Sequence, residues 1–309
     1  MIPVQFVYMI RHIVCSGSGP NGISQVAIIM EYERRGLFRR EGLDSFFGCS
    51  AGAIIGLYLL LNIPLDAAIE YVLKRPWNKF AKLDFFEMNE RGGLLECSKI
   101  KDMMIPLFHA NDIPLDITFA QAREKSTIDL HVFSTNLETF ERVDFNFETH
   151  PNMPVLTAVM LSCAIPPVFC IGSYEGVGYA DGGLSDNFPL TSLLNHKCKP
   201  DPATILCINM TGPLPSFNMR ATLTEMMLYI LNRGVLKVSE FYLNHEAGAK
   251  LCEHYICHES TSILSKSLWE NFLYSEDQRH ALFEKGTELA RVHFEKLEAK
   301  KQAEKEDTI

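Results

Sequence analysis

The chain has 309 residues, 47% of them hydrophobic and 22% charged, and a formal net charge of −9. That is the composition of a globular protein with ample material for a large core, folded as one large domain or two modest ones. The acidic balance argues against a nucleic-acid partner, which needs a basic footprint, and against simple electrostatic recruitment to anionic lipid. Nine cysteines (15, 49, 97, 163, 170, 198, 207, 252 and 257) include no C-x-x-C pair. Several sit in apolar runs, so they read as reduced, mostly buried thiols. The longest apolar run, AIIGLYLLL at 53–61, falls short of the ~20 residues that a membrane span requires. The N-terminus, MIPVQFVYMIRHIVC, lacks the basic start and small-residue cleavage site of a leader. The expected location is cytoplasmic, with peripheral membrane association allowed.

In chain order, residues 4–15 are rich in Val, Ile, Phe and Tyr and predict a strand, closed by the glycine cluster SGSGPNG at 16–22. Val26, Ile29, Met30 and Glu33 follow at helical offsets, and Gly36 ends that helix. DSFF at 44–47 predicts a short strand, followed at once by GCSAG and a helix through about Leu61. That helix is apolar on every side, which places it at the centre of the fold. Residues 66–110 predict helices with a turn at Arg91-Gly92-Gly93. Alternation over 129–147 predicts strands, Pro154 opens a helix over 154–163, and 203–210 (ATILCINM) is another strand. From about 221 onward the pattern is mainly helical, ending in a charged amphipathic helix over 276–305 whose last residues fray. Alternating strands and helices predict an α/β architecture with a largely parallel sheet.

The sharpest chemical signal is Gly48-Cys49-Ser50-Ala51-Gly52 between a strand and a helix. A serine on such a turn projects its hydroxyl into open space, and the flanking Gly48 and Gly52 let strand and helix approach. The helix N-terminus adds positive potential where negative charge develops. Ser50 is therefore the candidate nucleophile, the alternative being a tight structural turn. Nine histidines follow it, at 109, 131, 150, 196, 245, 254, 258, 280 and 293, none in a glycine-rich or strand-end setting. The better proton acceptor is Asp181 in Tyr-Ala-Asp-Gly-Gly, where Gly182 and Gly183 let the backbone bend sharply; the alternative is an ordinary Asp-Gly turn. Asp186 competes but lacks adjacent glycines. The loop Gly17-Ser18-Gly19-Pro20-Asn21-Gly22 exposes amides to an anion, either an oxyanion or, since it satisfies G-x-G-x-x-G, a dinucleotide phosphate. The dinucleotide alternative lacks an acidic residue at the end of a clear second strand.

Taken in order, the glycine loop, GCSAGAIIG, VFSTNLETFERVDF, AVMLSCAIPPVF and YADGGLSDNFP make residues 10–210 resemble the patatin-like phospholipase family. The resemblance implies a three-layer α/β/α sandwich and a Ser–Asp dyad of Ser50 and Asp181 without histidine. It implies an oxyanion hole from the amides of Gly17, Ser18 and Gly19, and neither metal nor cofactor. It also implies hydrolysis of phospholipid or other lipid acyl esters through an acyl-enzyme, in a domain over 1–212 with a helical extension over 213–309 packed on it. Two positions depart from the family loop: Ser18 replaces a glycine and Asn21 replaces a basic residue. The rival expectation is an inactive lipid-binding or scaffolding protein on the same fold; a third reading is a histidine-dependent esterase. Candidates for an acyl slot are Trp77, Phe80, Phe85 and Phe86, then Met103, Met104 and Phe108, with core packing as the alternative for each. Leu268, Trp269, Phe272 and Leu273 form a further apolar cluster, read as core or as a membrane contact.

Overall fold

Runs of β-branched and aromatic residues that bury both faces build the centre of the sheet. The computed structural model describes residues 9–80, 90, 92–211, 216, 218–220, 222–245, 252–260 and 265–306. Strand β1 (His12–Cys15) and strand β2 (Ser45–Cys49) are buried at every position. The predicted strand over 4–15 is thus realised only at its end; residues 4–8 lie outside the described residues, and 9–11 are not in the sheet ladder. Arg11 instead turns its guanidinium to the Asp44 carboxylate, at 2.7 and 2.9 Å.

Between these strands runs helix α1 (Gly22–Arg34), and after Ser50 comes helix α2 (Ala51–Leu60). Every residue of α2 but Ile54 is buried, as its uniformly apolar sequence requires. Helices α3 (Leu65–Lys74), α4 (Trp77–Phe80), α5 (Ser98–Ala110) and α6 (Phe119–Lys125) follow. Gly92 has φ +77, as a turn there demands, while Arg91 lies outside the described residues. The alternating stretch folds as β3 (Asp129–Asn136) and β4 (Arg142–Phe145). Helix α7 (Val155–Ser162) begins one residue after Pro154, which serves as its N-cap. A hairpin of β5 (Gly172–Tyr174) and β6 (Val177–Asp181) leads through the short helix α8 (Leu190–Leu194) to β7 (Ile205–Thr211). The C-terminal region contains α9 (Leu223–His245), β8 (His254–Glu259), α10 (Lys266–Tyr274) and α11 (Glu276–Glu306). The mainly helical pattern hid β8, which pairs parallel to β7 and extends the sheet. The last residues of the helix predicted over 276–305, expected to fray, are helical through Glu306, and 307–309 lie outside the described residues.

The sheet order is β5-β6-β3-β2-β1-β7-β8, with β4 paired to β3 as well. The ladders among β3, β2, β1, β7 and β8 are parallel, and those made by β4, β5 and β6 are antiparallel. Period-two alternation sends Ile13, Phe46, Leu130 and Leu206 to one face and Val14, Phe47, Phe133 and Cys207 to the other. The first face carries the large core under α1, α2 and α7; the second carries a smaller core under α8. This is the expected α/β/α sandwich. Helix α11 lies along α1, where Ser24 Oγ donates to the Leu282 carbonyl at 2.6 Å. Arg279, buried at its base, donates to the carbonyls of Leu73 and Phe272, both at 2.7 Å. Among the described residues no helix is long and apolar enough to cross a membrane. Six of the nine cysteines are buried, and no disulfide joins any of them among the described residues.

Candidate active site

Ser50 joins β2 to α2 with φ 51 and ψ −119, a conformation that costs on the order of 1–3 kcal/mol in a non-glycine residue. The surroundings hold it there. Its N–H donates to Ser162 Oγ at 2.9 Å, and Ser162 Oγ–H donates in turn to the Phe133 carbonyl. Gly52 lets α2 press onto β1, since a methyl group at 52 would lie 2.5 Å from the Cys15 carbonyl oxygen. Gly48 packs as closely against the first turn of the helix.

Asp181 reaches the same point from the opposite direction. β2 pairs with β3 as far as Cys49 opposite Phe133, and β6 pairs with β3 from Asp181 opposite Ser134. Strand β4 overlaps both stretches, at Val132–Thr135, so β2 and β6 must share the other edge of β3. Their ends therefore meet head to head, one carrying Ser50 and the other Asp181. Ser134 Oγ and Thr135 Oγ1 hold the β6 end by donating to the carbonyls of Ala180 and Asp181, at 2.7 and 2.9 Å. Gly182 then turns tightly against β3, where a methyl group would sit 2.4 Å from the Phe133 carbonyl oxygen.

The Asp181 carboxylate is 2% exposed. Its Oδ1 accepts the Gly183 N–H at 2.8 Å and the Cys49 thiol at 3.7 Å, while Oδ2 has no hydrogen-bond partner among the described residues. Burial pushes its pKa up to about 6; the Ser50 hydroxyl, the Gly183 amide and the Cys49 thiol hold it back from rising further. Asp186, the competing acid, is committed elsewhere: Arg142 Nη1 donates to its Oδ2 at 2.5 Å and the Phe188 N–H to its Oδ1 at 3.2 Å.

The glycine loop lies beside Ser50, but its amides are not equivalent. The Gly17 N–H already donates to the Asn187 carbonyl at 3.0 Å, and Asn187 Nδ2 returns a bond to the Gly17 carbonyl at 3.0 Å. Among the described residues the N–H groups of Ser18 and Gly19 make no such bond, and Gly19 has φ +53. Gln25 braces the loop from α1. It donates to the Ser16 carbonyl at 3.0 Å and accepts the Ser18 hydroxyl at 3.1 Å. Asn21 is buried under the turn that enters α1. Sequence reasoning gives no role to Gln25, Ser162 or Asn187, although the last two lie in the stretches AVMLSCAIPPVF and YADGGLSDNFP. Ser162 left a trace as a hydroxyl inside the apolar run VMLSCAI; Gln25 and Asn187 look like surface polar residues until the chain is folded.

From Ser50 an apolar cavity of about 1170 Å³, its open mouth included, runs between α1, α2, α3, α5 and α10. Its lining is overwhelmingly apolar, as the site of an acyl chain would be. Trp77, Met103 and Met104 line it, as do Trp269, Phe272 and Leu273. Phe108 and Leu268 are buried in the core instead. Phe272 and Leu273, 8% and 4% exposed, face the cavity and are not available to a membrane. Phe85 and Phe86 lie outside the described residues, as does the side chain of Phe80. No histidine is among the described residues lining the cavity.

The family model for patatin-like phospholipase matches residues 13–194. A probable lipid hydrolase (463L) of Invertebrate iridescent virus 6 is 28% identical over 160 residues, which is 51% of this chain and 55% of that protein. The 1-acylglycerol-3-phosphate O-acyltransferase Pnpla3 of Mus musculus is 26% identical over 184 residues, 57% of this chain and 40% of that one. The chain thus spans about half the length of the curated relatives it matches. VipD from Legionella pneumophila shares the fold, with TM-score 0.55 and 18% identity over 93% of this chain and 67% of VipD. The family match runs from β1 through α8, over more than half of the chain, and takes in both strand ends that meet beside β3. On that extent of similarity, the chain belongs to the patatin-like phospholipase family.

Proposed function

We propose that this chain hydrolyses acyl esters of phospholipids or related lipids, with Ser50 as nucleophile and Asp181 as its base. One observation carries the reading: a buried carboxylate oxygen with no hydrogen-bond partner lies at the strand junction where a strained serine opens onto an apolar cavity. Ser50 Oγ attacks the ester carbonyl while its proton passes to Asp181 Oδ2. The amides of Ser18 and Gly19, with the positive N-terminal end of α2, stabilise the oxyanion. Collapse expels the alcohol, which takes the proton from Asp181 and leaves an acyl-Ser50. Water then adds to that ester, giving its proton to Asp181; the carboxylic acid departs as Ser50 is reprotonated. The Gly17 amide takes no part, because it is spent on Asn187.

An Asp with the ordinary pKa of ~3.9 is a weak base. Burial strengthens Asp181 toward about 6 while leaving it ionised at neutral pH. The acyl chain lies in the cavity, and its apolar contacts hold the ester against Ser50. Peripheral membrane contact is supported by the exposed side chains of Met226, Met227 and Ile230 on α9.

The test is hydrolysis of a fluorogenic phospholipid and a short-chain p-nitrophenyl ester by wild type, Ser50→Ala and Asp181→Asn, with folding checked by circular dichroism. Turnover that both folded variants lose is the expected result. A folded wild type that turns over neither substrate and resists a fluorophosphonate probe at Ser50 points to lipid binding without catalysis.

A further inference from the structure

The amino end of β3 carries a second cluster, remote from Ser50. Asp129 and His131 are two residues apart on the strand, so both project from the face of the smaller core. Phe47 stacks on the His131 ring with centroids 4.0 Å apart. His196, two residues past the end of α8, closes over the pair with its ring centroid 5.2 Å from that of His131. One ligand-capable atom from each of Asp129, His131 and His196 lies within 4.8 Å of the other two.

His131 is the informative member. It is 4% exposed, and its Nδ1 lies 2.8 Å from Asp144 Oδ2, the shorter of two contacts there, with Asn146 Nδ2 at 3.4 Å. The carboxylate makes Nδ1 the protonated donor and turns Nε2 toward Asp129 Oδ2, 3.6 Å away. Nε2 is buried and makes no hydrogen bond among the described residues. A buried ring nitrogen without a bond is costly. A carboxylate on the opposite nitrogen is the arrangement that orients metal-bound histidines. Of the neighbouring cations, Arg11 is engaged with Asp44 and Lys197 with Glu148, while Arg123, whose charge also acts on Asp129, donates to the Thr127 carbonyl.

The geometry points to a zinc-class divalent cation site formed by the Asp129 carboxylate, His131 Nε2 and the His196 imidazole, with water in the fourth position. Bonds of ~2.0–2.1 Å place tetrahedral ligand atoms about 3.4 Å apart. The 3.6 Å between Asp129 and His131 needs only a small contraction, and His196, half-exposed after α8, supplies the remaining approach. Mixed imidazole and carboxylate donors favour a transition metal of the zinc class over calcium or magnesium. Cys198, whose Sγ lies 3.1 Å from His196 Nδ1, orients that ring without binding the metal. The cation would tie the segment after α8 to β3 and stabilise the folded chain by mass action, apart from any chemistry at Ser50.

The test uses the full chain, stripped with a chelator and titrated with Zn²⁺ against a chromogenic chelator at neutral pH. One reversible equivalent is expected, with a rise in Tm. His196→Ala and Asp129→Asn lose it, and Asp144→Asn weakens it by about 10–100-fold. Cobalt(II) in the wild type gives visible bands of a tetrahedral site without thiolate charge transfer, and His196→Ala abolishes them. His196→Ala is the decisive variant, because a partly exposed loop residue can be replaced without emptying the core. Undiminished zinc binding by folded His196→Ala overturns the proposal. So does the absence of stoichiometric binding by the wild type, or a loss of binding in Cys198→Ser, which would assign the metal to a surface thiol. Ester hydrolysis by His196→Ala is expected to match wild type, so the result is independent of the proposed activity.

Discussion

Beside Ser134 of β3, Asp181 is buried with one carboxylate oxygen unbonded and its pKa raised to about 6. Three residues earlier on the same strand His131 is buried as deeply, yet it lies between the carboxylates of Asp144 and Asp129, at 2.8 and 3.6 Å. Burial pulls its pKa down, but the two flanking carboxylates outweigh that and raise it to about 9. The two ends of β3 thus differ: beside its carboxyl end, on β6, lies an uncompensated charge, and near its amino end lies a compensated one. The uncompensated end also holds the strained Ser50. Strain and an unpaired charge gathered at one point are the features a reactive site would need, which is why the proposed chemistry is placed there.

The comparison can be broken most directly at the reactive end. Ser50→Ala and Asp181→Asn are each expected to lower kcat/KM by at least ~10⁴-fold, since members of such a unit fail singly. Residual turnover near wild type in either would remove that residue from the mechanism.

The next effect is on stability and has opposite signs at the two ends. Because the folded-state pKa of Asp181 lies above its unfolded value of 3.8, the folded chain binds that proton more tightly. Stability from this group is then present below pH ~4 and lost as pH rises through about 6, a difference on the order of 3 kcal/mol. Asp181→Asn should therefore raise Tm above pH 6 and leave it unchanged near pH 4. Wild-type kcat/KM should fall about tenfold per pH unit below 6, as the base becomes protonated. In contrast, His131→Gln in chelator-treated protein should lose about 3 kcal/mol, because it leaves two carboxylates facing each other without a cation. Denaturant unfolding of both variants checks the signs, and equal signs would dissolve the contrast.

A smaller effect sharpens the junction itself. Gly182→Ala pushes a methyl group onto the Phe133 carbonyl. It should cost about 1–3 kcal/mol and lower turnover of every ester alike. Smallest is the effect of Val72→Phe, which fills part of the cavity. Each methylene displaced forfeits about 0.8 kcal/mol, so the preference for long over short acyl chains should narrow by about fourfold per methylene. An unchanged chain-length profile would show that the acyl chain lies elsewhere.

Much of the reactive end is legible in the residues, because its requirements are local. Ser50 needs glycines two positions away on each side, and Asp181 needs two glycines directly after it. The uniformly apolar α2 announces its own central position. The cluster at the other end left no comparable mark: Asp129 and His131 read as an ordinary strand alternation and His196 as a loop polar residue. In the sequence the amides of Gly17, Ser18 and Gly19 are equivalent, and only the arrival of Asn187 from a distant part of the chain distinguishes Gly17, whose N–H it accepts.

What the sequence determined by itself is therefore the α/β class, the parallel core strands, the strand-to-helix turn at Ser50 and the strand end at Asp181. Each follows from periodicity or glycine placement within a few residues. Only the tertiary structure decided that β2 and β6 meet head to head beside β3, that β8 extends the sheet, and that α3, α5 and α10 enclose a cavity over Ser50. It also decided which buried charge finds a partner. Pairing between groups many residues apart depends on how strands are ordered and faces packed, and local patterns carry no record of either.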